Sequence, residues 1–228
     1  MSEWWTYTLS DFLLFSPRTY YRLLELYNLA IWPAQLAGVA IGLAIVALLF
    51  GNHRARERIV AGLLAVCWLW IAWAFHYQRY AQINWAATWF AAAFAIQALL
   101  LVVSGVLARQ LVFQFPIRGS AWVSVALLVT AVVAYPLLAS MAGRPWTTAE
   151  AFGVAADPTA IATVAALALV RGRIRWLLLV VPLAWCMIGA ATLWAIDAPE
   201  AIVLAGALLL ALLLSAYGLR SDGRVAAR

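Results

Sequence analysis

The chain has no lysine; all 15 of its basic residues are arginine. No side chain can form a Schiff base, so a retinal protein is excluded whatever the helix count. Charge of either sign is sparse, at 11% of 228 residues, which leaves no room for an ordinary soluble domain. Cysteine is nearly absent: Cys67 and Cys186 each sit inside an apolar run. No CxxC, CxxCH or HExxH occurs, so structural zinc, c-type haem and zincin chemistry have no signature. The two histidines, His53 and His76, fall at opposite ends of one expected span, which argues against a bis-His haem. No cofactor and no metal are expected. Nucleophile elbows, phosphate loops and paired catalytic carboxylates are also missing, so an enzymatic reading has little support. No apolar stretch follows a basic start in the first 24 residues, so no signal peptide is visible.

What the chain does have is hydrophobicity, at 67% of residues. Apolar runs of about 20 residues recur, each enough to cross ~30 Å of hydrocarbon. The expected fold is all-α: a polytopic membrane protein of seven transmembrane helices, near 29–50, 59–77, 85–108, 120–142, 149–170, 176–196 and 200–219. Residues 1–28 form an interfacial amino-terminal segment, 29–219 the seven-helix domain and 220–228 a cytoplasmic tail. The net charge of +6 therefore points to loop arginines, not to nucleic acid. Arg54, Arg56, Arg58, Arg109, Arg118, Arg171, Arg173, Arg175, Arg220, Arg224 and Arg228 share one side, which the positive-inside rule makes cytoplasmic. Only Arg18, Arg22, Arg79 and Arg144 fall on the other. The amino terminus is then periplasmic in a bacterial inner membrane, the carboxyl terminus is inside, and seven spans satisfy both. Most acids, Asp157 and Glu150 among them, collect toward the outer end.

Tryptophan is the other excess, with 13 in all. Most lie toward the outer end, where an ordinary aromatic belt would be balanced between the two interfaces. Trp32, Trp73, Trp85 and Trp194 are therefore expected to line an outward cavity for a flat or weakly polar solute; a one-sided belt is the competing explanation. The run from Trp73 to Trp85 is the densest candidate. At helical spacing Trp73, His76 and Tyr80 share a face, and Asn84 pairs with Thr88 at the opening of span three. His76 is placed to couple protons or to donate to a ligand. In the amino-terminal segment, Ser16-Pro17 starts a short helix with Tyr20, Leu23, Leu24 and Tyr27 on one face, either an anchor or a lid.

Span five carries the sharpest backbone feature. Pro158 to Val170 is too short to cross alone, so the stretch before it must complete the crossing. Asp157-Pro158 reads as a helix start, with Asp157 as cap and Pro158 at the first helical position. A kink or break is expected over 153–157. An acid inside a span is a functional candidate by default. In span one Pro33 can kink the helix, and Gly38 and Gly42 form GxxxG, which favours close helix approach.

The two proline regions also look like copies. Residues 27–37 and 152–162 align with Pro33 on Pro158, Ala30 on Ala155, Ala37 on Ala162 and Tyr27 on Phe152. Trp73-Ala74-Phe75-His76 aligns further on with Trp194-Ala195-Ile196-Asp197. A duplicated bundle would set spans one to three against five to seven in a 3+1+3 parallel repeat, with Pro33 and Pro158 as hinges.

The run Trp4-Trp5-Thr6-Tyr7 with Leu9-Ser10-Asp11-Phe12-Leu13-Leu14-Phe15-Ser16-Pro17-Arg18-Thr19-Tyr20 resembles the opening of a bacterial integral-membrane family, domain of unknown function 6064. Trp32-Pro33, Trp73-Ala74-Phe75-His76, Ile83-Asn84, Phe152-Gly153 and Pro158-Thr159 extend the resemblance over nearly the whole chain. It implies no activity. It implies a cysteine before the Pro-Thr pair in relatives, where this chain has Asp157, so thiol or metal chemistry there is not carried over. The architecture is distantly similar to sugar-exporter (SWEET) and vitamin-uptake (PnuC) transporters of the 3+1+3 kind. The expected function is transport of a small solute, with Trp32, Trp73, His76, Tyr80, Asn84, Trp85, Asp157 and Trp194 as substrate contacts. A non-transporting subunit or ligand sensor is the alternative, and a metal handler using His76, Asp157 and Asp197 is a third class. The lipid bilayer and a small solute are the expected partners; a membrane-protein partner or a homo-oligomer stays open.

Overall fold

The computed structural model describes residues 15–51, 53–114, 119, 121–210 and 213. The expectations for the first 14 residues, for Arg118 and for the tail at 220–228 lie outside them. The described chain is all-α, with one isolated antiparallel bridge, Phe113 to Val170. Helix α1 is Pro17–Ile31 and α2 is Ala34–Phe50. Helix α3 runs over Arg56–Gln82 and α4 over Ala87–Leu107. Helix α5 is Ala121–Ala134, α6 Leu137–Met141 and α7 Ala156–Ala168. Helix α8 is Ile174–Ala195 and α9 Glu200–Leu210.

Three of these, α3, α4 and α8, are long and apolar enough to cross a membrane. The α1–α2 pair passes as a fourth only if its two arms, bent by 86°, count as one span. The remaining expected spans are shorter as helices, for local reasons. Span 120–142 is split at Pro136, whose ring cannot continue the ladder. Span 149–170 is helical only from Ala156, because residues 149–155 run through turns and Gly153 sits at φ +83°. Span 200–219 is described only in part.

Ser16 and Pro17 start α1 as the sequence implies: the Ser16 hydroxyl accepts from the Thr19 N–H at 3.2 Å. Its inner face buries Tyr20, Leu24 and Tyr27. Across the bend, Gln35 Nε2 donates to the Asn28 carbonyl at 2.8 Å. Asn28 Nδ2 in turn donates to the carbonyls of Thr147 and Ala149, both at 2.8 Å. Tyr27 donates to the Val154 carbonyl at 2.9 Å. These polar groups hold α1 down on the 147–154 segment.

Helix α7 is the centre. All 13 of its residues are buried, and α8, α5 and α3 pack around it. A helix apolar on every side has to be enclosed. Its many alanines let the neighbours come close, and its polar groups are paired. Trp68 Nε1 donates to Thr163 Oγ1 at 2.8 Å, and Thr163 and Thr159 bond back to carbonyls one turn earlier. The non-helical stretch before it is tied the same way, with the Gly153 N–H donating to Thr159 Oγ1 at 2.8 Å.

The Gly38-xxx-Gly42 stripe of α2 packs on that stretch at Gly38, and on both that stretch and Val132 of α5 at Gly42. A Cβ on Gly38 would overlap the carbonyl oxygen of Phe152, and one on Gly42 would stand 2.6 Å from the Val132 side chain and 2.9 Å from the Phe152 ring. Gly38→Ala should therefore lower stability by about 1–3 kcal/mol through overpacking. Gly62→Ala, where the new methyl would meet Val106 at 3.8 Å, should be neutral or mildly stabilising. Thermal unfolding in detergent reads both.

Candidate functional site

The site forms where α7 begins. Its first residue is Ala156, and Ala155 is the cap position, without a side-chain cap bond. Asp157 thus stands second and Pro158 third, each two positions further in than the cap-plus-proline expectation. The helix starts earlier because Thr159, not Asp157, bonds the incoming backbone. This frees the Asp157 carboxylate to project sideways. It still sits in the first turn, where the helix dipole favours negative charge.

Asp157 is 3% exposed. Its Oδ1 accepts from the Trp185 indole N–H at 2.8 Å, and its Oδ2 from the Tyr135 hydroxyl at 3.3 Å. Gly189 of α8 makes the space: a Cβ there would stand 3.1 Å from Asp157 Oδ1 and 2.7 Å from Leu204. Beside the carboxylate is an internal void of about 10 Å³, lined among others by Tyr20, Tyr80, Glu150, Trp185 and Thr192. That is about the room one water molecule needs. The Tyr20 hydroxyl approaches Glu150 Oε1 at 3.5 Å. Two carboxyl groups, two tyrosines and an indole thus line one enclosed space, with Tyr135 donating to Asp157 beside it.

Above it, Arg144 forms an ion pair with the buried Glu200 at the start of α9. The same guanidinium lies over the Tyr21 ring, 4.2 Å from its centroid. Helix α1, the loop before Trp146 and α9 are clamped together by one arginine.

His76 lies on the other side of Trp185. It is fully buried, with ring centroids of Phe94 at 4.4 Å and Trp185 at 4.8 Å. Phe75, Tyr80 and Phe90 complete the cage at 5.2 to 6.0 Å. Neither ring nitrogen has a hydrogen-bond partner, which is rare for a buried imidazole.

The expected helical face of Trp73, His76 and Tyr80 is not kept. Over Ile71–Tyr77 the helix winds in wider π turns, with the Gln78 N–H donating to the carbonyl of Trp73 five residues back. Three residues then advance less than one turn, so His76 and Tyr80 are buried while Trp73 is 59% exposed and stacks on Tyr77. Such turns are frequent at functional sites. Asn84 does not pair with Thr88. Its Oδ1 accepts from the Ala86 N–H at 3.0 Å, a local turn that leads into α4.

The structure brings together Asp157, Tyr80 and, behind Trp185, His76. It does not bring the outer tryptophans to them. Trp73, Trp85 and Trp194 are each more than half exposed, and none lines the void. Trp32 is 65% exposed and lines a separate apolar groove with Trp146. Pro33 stands at the bend between α1 and α2, and Pro158 in the first turn of α7. Asp197 is exposed, and among the described residues no group of three His, Cys, Asp or Glu side chains could hold a metal ion. Cys67 and Cys186 are free and buried.

Sequence reasoning missed Tyr135, Trp185, Gly189 and the role of Glu150. Tyr135, Trp185 and Gly189 are joined to Asp157 by long-range contacts, and Glu150 shares the void with it; only Glu150 carried a signal, as an acid near a span. Replacing Trp185 by Phe should leave Asp157 Oδ1 without its shorter hydrogen bond. We expect a loss of about 2 kcal/mol in unfolding free energy, whereas Trp194→Phe at the surface should change little.

No curated protein and no solved structure matches the chain. One family model does, over residues 18–223, and it is described only as a family of unknown function. The chain belongs to that family, DUF6064.

Proposed function

We propose that this protein spans the bacterial inner membrane and moves a small solute across it together with a proton. The observation that carries this reading is the Asp157 carboxylate, 3% exposed at the broken start of a wholly buried helix and next to a void. Acids inside apolar, membrane-crossing bodies are rare and mark ion or proton paths. Interrupted helices supply such sites in transporters.

In this reading Asp157 and Glu150 take and release the proton, and Tyr20, Tyr135 and Thr192 offer hydroxyls. A void with room for one water admits no larger solute, so this conformation is closed. The finer topology belongs to the same proposal: seven spans, a periplasmic amino terminus and arginine-rich connections in the cytoplasm. So does the 3+1+3 repeat, in which Pro33 and Pro158 act as hinges at two helix starts. The solute contacts shift inward from the outer tryptophans to the group around Asp157. Trp32, Trp73, Trp85 and Trp194 then meet lipid headgroups.

One observation favours the second reading, a non-transporting subunit or ligand sensor. An apolar groove of about 410 Å³ runs along Leu29, Trp32, Leu36, Val39, Pro136 and Trp146. A lipid-facing groove beside a closed interior is what a partner-binding module requires.

Proteoliposomes loaded with a pH-sensitive dye separate the two. Under an imposed potential and a panel of neutral and aromatic solutes, the wild-type chain is expected to pass protons faster than empty liposomes. Asp157→Asn, which keeps the shape but cannot ionise, is expected to fall to the empty-liposome level. Wild-type flux equal to that of empty liposomes for every solute would remove transport and leave the subunit reading.

A further inference from the structure

A separate cleft, of about 360 Å³, lies between α1 and the end of α3. Arg18 and Arg22 of α1 and Arg79 from the end of α3 line it, with Leu23, Leu26 and Ile83 as apolar wall. The positive-inside assignment leaves four arginines for the outer face: Arg18, Arg22, Arg79 and Arg144. Arg144 is taken by Glu200. The other three converge on this one cleft. Arg22 shares its charge with Glu25 at 2.7 Å, while Arg18 and Arg79 have no ion-pair partner among the described residues.

We infer that this cleft binds the phosphate of an anionic glycerophospholipid, with Arg18 and Arg79 as its main contacts. Guanidinium forks match phosphate oxygens. The leucine and isoleucine wall gives the attached acyl chain an apolar surface, which a free phosphate has no use for. Helix α1 turns away from α2 by 86°, a geometry that lays it along a headgroup layer. Its charged side would face phosphate while Tyr20, Leu24 and Tyr27 stay packed inward. The inference rests on the membrane placement but not on transport. Failure of lipid binding would leave the proton-flux experiment unaffected, and the reverse also holds.

Native mass spectrometry of the full chain in neutral detergent tests it, with phosphatidylglycerol, phosphatidylcholine and inorganic phosphate as probes. Wild type is expected to retain phosphatidylglycerol over phosphatidylcholine. The double variant Arg18→Gln with Arg79→Gln is expected to weaken phosphatidylglycerol on the order of thirtyfold, from ~1 kcal/mol per arginine. Arg54→Gln with Arg58→Gln, an equal charge loss at exposed positions, is expected to leave it unchanged. Equal retention of the two lipids by wild type overturns the inference without recourse to any variant. An equal loss in the control pair also overturns it, because surface charge alone would then account for binding. Displacement of the lipid by millimolar inorganic phosphate overturns the lipid assignment in favour of a soluble anion.

Discussion

The hydrogen-bonded Asp157 carboxylate is the constraint around which the interior is arranged. A charge-bearing group away from water must be met by donors, or it is costly. Trp185 meets it from α8 and Tyr135 from the turn that ends α5, and this sets how α8 and α5 lie against α7. Gly189 on α8 is then required, since any side chain there would press on the carboxylate. The turn before α7 follows from the same need. Had the helix run on through 149–155, Asp157 would sit in mid-helix, without the favourable field of an amino-terminal turn.

Backbone satisfaction explains the next layer. Residues 149–155 are non-helical yet largely buried, so their polar groups need partners from elsewhere. Thr159, Tyr27 and Asn28 supply them. Helix α1 is thereby bound to the centre of the molecule through Tyr27 and Asn28, and Arg144 with Tyr21 adds a clamp at its other side. From Pro17 onward the amino-terminal segment also supplies a wall of the enclosed site, through Tyr20.

How much of this was legible depended on how local each cause is. The all-α class follows from apolar runs and absent charge. The start of α1 follows from Ser16-Pro17, and the break before α7 from Gly153, Asp157 and Pro158, all neighbours in sequence. The face of α3 was not legible. Nothing in Ile71–Tyr77 marks a π turn, yet that winding separates Trp73 from His76. The partners of Asp157 were not legible either, because Tyr135, Trp185 and Gly189 meet it only through tertiary packing. The GxxxG stripe pointed to close helix approach; Gly42 does meet Val132 of α5, but Gly38 meets a turn, Phe152-Gly153, which periodicity cannot reveal.

Both thiols of the chain are sealed in the interior, at 2% exposure for Cys67 and 1% for Cys186. A single cysteine engineered onto the outer side of α1 would therefore be the one sulfur open to maleimide or nitroxide reagents. The native background needs no prior cysteine removal. Spin or fluorophore distances from such a probe could follow the tilt of α1 against the rest of the molecule directly.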